Sequence, residues 1–253
     1  MVKAQSASHL PQALPSYTIR ESQRAKHLRL QISVDKGLEV VIPRGFDKQQ
    51  IPEILHKKRA WLERASQQIE EQRQWMKQDP PDRLPESIYL QTIAEEWGIE
   101  YQFTKATRIV LTECSNHQLL LKGAIDNIEL CQKALRRWLT QKGYQHLVPW
   151  LQTVSQNCEL PFRRAFVKGQ KTLWGSCSSQ KNINLNYKLL FLPPAMVRYV
   201  FIHELCHTLE LNHSPKFWSL VRQWEPNYKG LDAELKDAWR LVPGWVEKTK
   251  RSR

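Results

Sequence analysis

The segment 203–218, HELCHTLELNHSPKFW, constrains the fold more than any other stretch of the chain. His203 and His207 are four residues apart. On a helix that is about 400° of rotation, so both imidazoles leave one face, one turn apart. The segment is therefore expected to be helical, and Pro194 suits the first turn of such a helix. The helix must also stop early. If it continued, His213 would lie about 9 Å along the axis from His207 and could not meet the other two. Asn212 suits a left-handed helix end, while Ser214 and Pro215 suit the cap and first residue of a second helix, PKFWSLVRQW. His213 is thus expected in a tight bend, turned back toward His203 and His207.

Three histidines so placed are a metal-ligand set. The pattern H-E-x-x-H supplies two zinc ligands and a general base when it lies on a helix. Glu204 is about 100° round from His203, so it need not coordinate; it can instead take a proton from a metal-activated water. A zinc hydrolase keeps three protein ligands and one open position, which assigns His203, His207 and His213 to one zinc ion per chain and Glu204 to catalysis. The apolar run YVFI just before His203 places the helix in a rigid, dry setting. A purely structural metal would have no use for Glu204.

The remaining composition narrows the classes. Five cysteines (Cys114, Cys131, Cys158, Cys177 and Cys206) are scattered with no CxxC pair, which excludes a disulfide framework and a thiolate zinc site. No stretch approaches the roughly 18 apolar residues of a membrane span, and the N-terminus lacks an apolar signal core. A cytoplasmic protein without membrane contact is expected. The net charge of +13 is spread along the chain and reads first as a solvated basic surface, while raising the weight of anionic partners; nucleic acid stays open on charge alone, with no binding motif to support it. The oligomeric state is not legible.

Along the chain, 1–16 reads as a disordered N-terminus, and 17–78 as a β-hairpin about Asp35-Lys36-Gly37 followed by a helix capped by Asp47. DPPDRLPE at 79–86 reads as a linker or loop, 87–245 as the catalytic domain and 246–253 as a basic tail. Within 87–123 four short runs suggest an antiparallel meander. A helix from Asp126 to about Asn157 is expected to be interrupted near Gly143 and Pro149. The alternation in 183–192 reads as a half-buried edge strand, with Lys188 guarding the edge. An extended peptide would add antiparallel to it. The loop and strand before the helix offer Trp174, Ser176, Asn184 and Asn186 as substrate-binding candidates, and Tyr228 as an oxyanion stabiliser. Cys177 is a weaker candidate for an inhibitory ligand, and Asp232 or Glu234 for orienting a histidine.

The spacing of the three histidines is also that of the metzincins, HExxHxxGxxH. Here, however, Glu210 stands at the glycine position, and no methionine follows His213. The closer likeness is elsewhere. HELCHTLELNHSPKFW, LWGSCSSQKNINLNYKLLFLPP, RESQRAKHLRLQISVDKGLEVVIPRG and KKRAWL together resemble the YgjP-like metallopeptidase family, relatives of the WLM and SprT-like zinc proteins. The likeness spans about 17–245. It implies an α+β fold: a zincin-type catalytic unit with a small, mostly antiparallel sheet and an HExxH active-site helix, preceded by the N-terminal hairpin and helix. It also implies His203, His207 and His213 as ligands and Glu204 as base. A metallopeptidase is the leading expectation. The alternatives are the same site hydrolysing a nucleotide phosphoanhydride, although no P-loop is present, and a nucleic-acid-associated protein with a mainly structural metal.

Overall fold

The structure, a computed structural model, describes residues 16–33, 37–78, 80 and 82–247. The expected disordered N-terminus, the hairpin tip at 34–36, parts of the 79–86 linker and most of the basic tail lie outside the described residues. The chain divides into two compact units, the first ending at Gln78 and the second beginning at Asp79.

In the first unit, β1 (Tyr17–Ser22), β2 (Arg29–Ser33) and β3 (Gly37–Pro43) form a sheet in the order β1-β3-β2. β2 and β3 pair antiparallel, with Leu30 opposite Val40, while β1 runs parallel to β3. β3 takes the centre because it is the most apolar: Leu38, Val40, Val41 and Ile42 are all buried. Its core is completed by Ile51 and Leu55 of α1 (Ile51–Lys57) and Leu62 of α2 (Arg59–Gln78). Asp47 does cap, accepting from the Gln49 N–H, but it caps a short 3-10 turn, and the expected single helix is divided at Lys58.

The second unit opens with β4 (Ser87–Leu90), β5 (Glu95–Phe103), β6 (Ile109–Cys114) and β7 (Gln118–Gly123). They are not a meander. The order is β4-β5-β7-β6, with β5 and β7 parallel. β7 carries the fully buried Leu119 and Leu121, whereas β6 is largely exposed, so burial puts β7 inside and β6 at the edge. α3 (Ile128–Asn157) then runs as one helix, capped by Asn127 and uninterrupted at Gly143 or Pro149. Gly143 allows a close approach: a Cβ there would stand 2.7 Å from Val167 Cγ1.

β8 (Arg164–Lys168), β9 (Gly175–Cys177) and β10 (Asn182–Asn186) form the sheet that leads to the histidines, in the order β8-β10-β9. The expectation of an edge strand over 183–192 is overturned twice. β10 is central, with Ile183 and Leu185 fully buried, and the chain leaves it at Asn186 for a 3-10 helix over Tyr187–Phe191. Lys188 guards no edge; it is buried and paired with Glu247. α4 (Pro194–Cys206), α5 (Pro215–Trp224) and α6 (Tyr228–Leu235) follow. On α4, Val197, Phe201, Ile202 and Leu205 are fully buried. Each such side chain stabilises by roughly 1.5–3 kcal/mol, so the helix end that carries His203 is firmly seated. No helix among the described residues is long and apolar enough to cross a membrane.

Candidate metal centre

His203 and Glu204 stand in the last turn of α4, and His207 is its C-cap, with its N–H on the His203 carbonyl. The chain then turns tightly, the N–H groups of Leu209 and Glu210 both bonding to the Cys206 carbonyl. Asn212 does not adopt the expected left-handed conformation. It shapes the bend differently, its side-chain oxygen accepting from the Ser214 N–H at 3.1 Å. Ser214 caps α5 through the Phe217 N–H, as its position in the sequence implies.

The bend brings His213 back. Ligand atoms of His203, His207 and His213 all lie within 4.8 Å of one another. The Nε2 atoms of His203 and His213 are 3.1 Å apart; two nitrogens on one tetrahedral zinc would stand about 3.3 Å apart. His207 Nδ1 is 2.9 Å from the Glu210 carbonyl oxygen. A carbonyl only accepts, so Nδ1 carries the proton and Nε2 keeps its lone pair for a ligand. Burial, with His207 and His213 nearby, drives His203 down to about 4, against a weaker pull from Asp232. Burial also lowers His207. Both are thus held as neutral imidazoles, the form that binds a metal. This donor set fits a divalent cation that accepts nitrogen ligands.

Aromatic rings fix the imidazoles. Phe217, fully buried, stacks on His207 with ring centroids 4.4 Å apart, and Trp218 stacks on His213 at 5.6 Å. Tyr228 stacks in turn on Trp218 at 5.4 Å. Phe217 and Trp218 fall three and four residues after the Ser214 cap, so their common helix face was available as a sequence signal. Asp232 accepts from the Tyr199 hydroxyl at 3.0 Å and makes no hydrogen bond to a histidine among the described residues.

Glu204 is 6 % exposed, and burial raises its carboxyl to about 8, opposed by the Cys177 backbone N–H. Its neighbour is Gly175 on β9. A Cβ at Gly175 would stand 2.7 Å from Glu204 Cγ and 2.9 Å from Oε1. This glycine, whose role sequence reasoning missed, makes room for the carboxylate; its only signal is its place in WGSC. Cys177 lies two residues on. Burial and Glu204 push its thiol up to about 11, so it is a neutral thiol, and it stands outside the histidine cluster.

The substrate candidates separate. Ser176 and Asn184 face each other across β9 and β10, the Asn184 amide donating to the Ser176 hydroxyl at 3.1 Å. Trp174 is partly buried against the core, and its carbonyl receives the Asn186 N–H. Asn186 is structural rather than substrate-facing. It is 2 % exposed, donates to the Gln170 and Leu173 carbonyls, and caps the following 3-10 helix. Tyr228 reaches the centre through Trp218 and His213 stacking.

A helix-borne histidine pair closed by a third histidine is the donor arrangement of a metal-binding protein. The profile of the YgjP-like, metallopeptidase domain matches residues 26–238, and the chain belongs to that family. A metal ion is implied by this membership and by the histidine triad together. Among solved structures, the chain is similar to the metallopeptidase zymogen abylysin of Pyrococcus abyssi, at 22% identity over 34% of this chain and 89% of that one, with a TM-score of 0.32. No curated protein matches the chain.

Proposed function

We propose that the protein is a zinc-dependent peptidase of zincin type, with α4 as its active-site helix, in which His203, His207 and His213 hold the ion and Glu204 is the general base. The observation that carries the reading is the convergence of three imidazoles, two of them held neutral by burial, with a buried glutamate next in the chain that has no ion-pair partner among the described residues. A bound zinc ion would supply Lewis acidity, polarising the scissile carbonyl and lowering the pKa of water to about 7. The chain supplies the rest. Burial raises the Glu204 carboxyl, and a cation on the histidines would draw it back toward the carboxylate, the form that takes a proton from the attacking water and returns it to the leaving amine. His207 is oriented by the Glu210 carbonyl, and His213 by Trp218.

β9 supports a peptide as substrate. It is an edge strand of the β8-β10-β9 sheet, and it begins at the glycine that touches Glu204. An extended peptide pairing with that edge would bring its backbone past the carboxylate. The test is a screen of metal-loaded wild type and Glu204→Gln against peptides and nucleoside triphosphates. Hydrolysis of peptides, abolished by the substitution, is expected. Hydrolysis of triphosphates alone would replace the peptidase reading with phosphoanhydride chemistry at the same centre. Elemental analysis of untagged protein should show about one zinc per chain, lost in His207→Ala.

A further inference from the structure

A second concave site lies in the same unit and uses none of the metal-centre residues. It has a volume of about 480 Å³ and is lined by Lys133, Arg136 and Arg137 of α3, Lys168 at the end of β8, and Tyr187. Glu129 is the one carboxylate on the wall. Four cations against one carboxylate leave an excess of three positive charges.

Three of the four cations are solvent-exposed. Lys133, Arg137 and Lys168 make no ion pair among the described residues. The buried lysines of the same unit are treated differently: Lys142 pairs with Glu113, and Lys188 with Glu247. Arg136 is anchored from behind by the Trp245 and Glu247 carbonyls, which fixes a guanidinium at the wall. Beside it stands Tyr187, only 4 % exposed. The ring stands on the cavity wall, and its hydroxyl makes no hydrogen bond among the described residues. Gly169 lets the backbone close over this ring; a Cβ there would be 2.5 Å from the Tyr187 oxygen. The result is a recessed donor near the anchored Arg136 guanidinium.

We propose that this cavity binds a small phosphate-bearing molecule with several negative charges. Phosphoryl oxygens match guanidinium forks and accept from hydroxyls, and the volume falls in the range of small-ligand pockets, roughly 300–1,000 Å³. A nucleic-acid backbone is the weaker fit, because it would engage the exposed Lys133, Arg137 and Lys168 rather than the recessed Tyr187 hydroxyl.

The probe is inorganic pyrophosphate, titrated calorimetrically into the full chain at fixed ionic strength. The protein is stripped of metal, since pyrophosphate also binds metal ions. Saturable binding of one pyrophosphate per chain is expected. The double substitution Arg137→Gln and Lys168→Gln, at two exposed side chains, should weaken it at least about tenfold. Tyr187→Phe, which removes one hydroxyl, should weaken it about 3- to 10-fold. Glu204→Gln should bind as wild type does, which keeps this result separate from the fate of the peptidase reading. Absence of saturable binding, or unchanged affinity in either cavity variant, overturns the proposal. Binding of an oligonucleotide but not of pyrophosphate also overturns it, and assigns the surface to nucleic acid.

Discussion

Glu204 is the residue on which most depends. Glutamine at 204 is nearly isosteric but cannot accept a proton. On the proposed mechanism Glu204→Gln lowers peptide turnover by roughly 10²–10⁴-fold, and the metal content of the purified protein stays unchanged. Turnover equal to wild type would place the base elsewhere. The same residue imposes a pH dependence on stability. Its carboxyl is raised from the ordinary 4.5 to about 8 in the fold. Between those values the folded chain holds more protons than the unfolded one, so this group makes stability fall as pH rises. His203, lowered to about 4, acts in the opposite sense: stability is lost as pH drops from 6.5 toward 4. A comparison of metal-free wild type with metal-free Glu204→Gln cancels the histidine. Urea unfolding should find the variant the more stable at about pH 9, at about 1.4 kcal/mol per unit of pKa shift. The gap should close toward pH 4.5. A gap independent of pH would contradict the assigned burial effect.

At the scale of elements, one three-strand pattern recurs. β1-β3-β2, β5-β7-β6 and β8-β10-β9 each have the third strand in the middle, parallel to the first and antiparallel to the second. In each, the third strand carries the buried residues: Val40 and Ile42, Leu119 and Leu121, Ile183 and Leu185. The last sheet puts this arrangement to use, because β9, left at the edge, delivers Gly175 to Glu204. Gly175→Ala would push a methyl group into the carboxylate. It is expected to reduce turnover by at least about tenfold, since a small misplacement of a catalytic group is costly. Metal stoichiometry should change little, while the overpacking lowers thermal stability by roughly 1–3 kcal/mol. Loss of metal in this variant would show that β9 supports the ligands rather than the base.

For the whole molecule, the two compact units differ in what holds them. All three histidines lie in the second, so a metal that binds only the folded state stabilises that unit by mass action. Chelation should therefore lower its unfolding temperature. Hydrogen exchange should speed up around α4, the bend and α5, while β1–β3 and α1 exchange as before. Uniform loss of protection in both units would mean that they unfold together. Among the described residues, the first unit's apolar cluster has six buried side chains, a small number for independent stability.

Much of the centre was legible before any fold was known. The i, i+4 histidines, the glutamate between them, and the Ser214-Pro215 restart are local signals, governed by helical period and cap chemistry. Those rules act over a turn or two of chain, and the structure follows them in α4 and α5. What local rules could not supply was partnership. Alternation in 183–192 shows that one face is buried, but a strand's neighbours come from elsewhere in the chain, and β8 and β9 turned the expected edge into a centre. The same limit hid the parallel β5–β7 pair, which is set by which strand most needs burial. It also hid Gly175, whose missing side chain matters only because Glu204, far along the chain, occupies the space. Sequence periodicity determined which residues could share a face; tertiary packing decided what each face would meet, because burial is won between segments rather than within them.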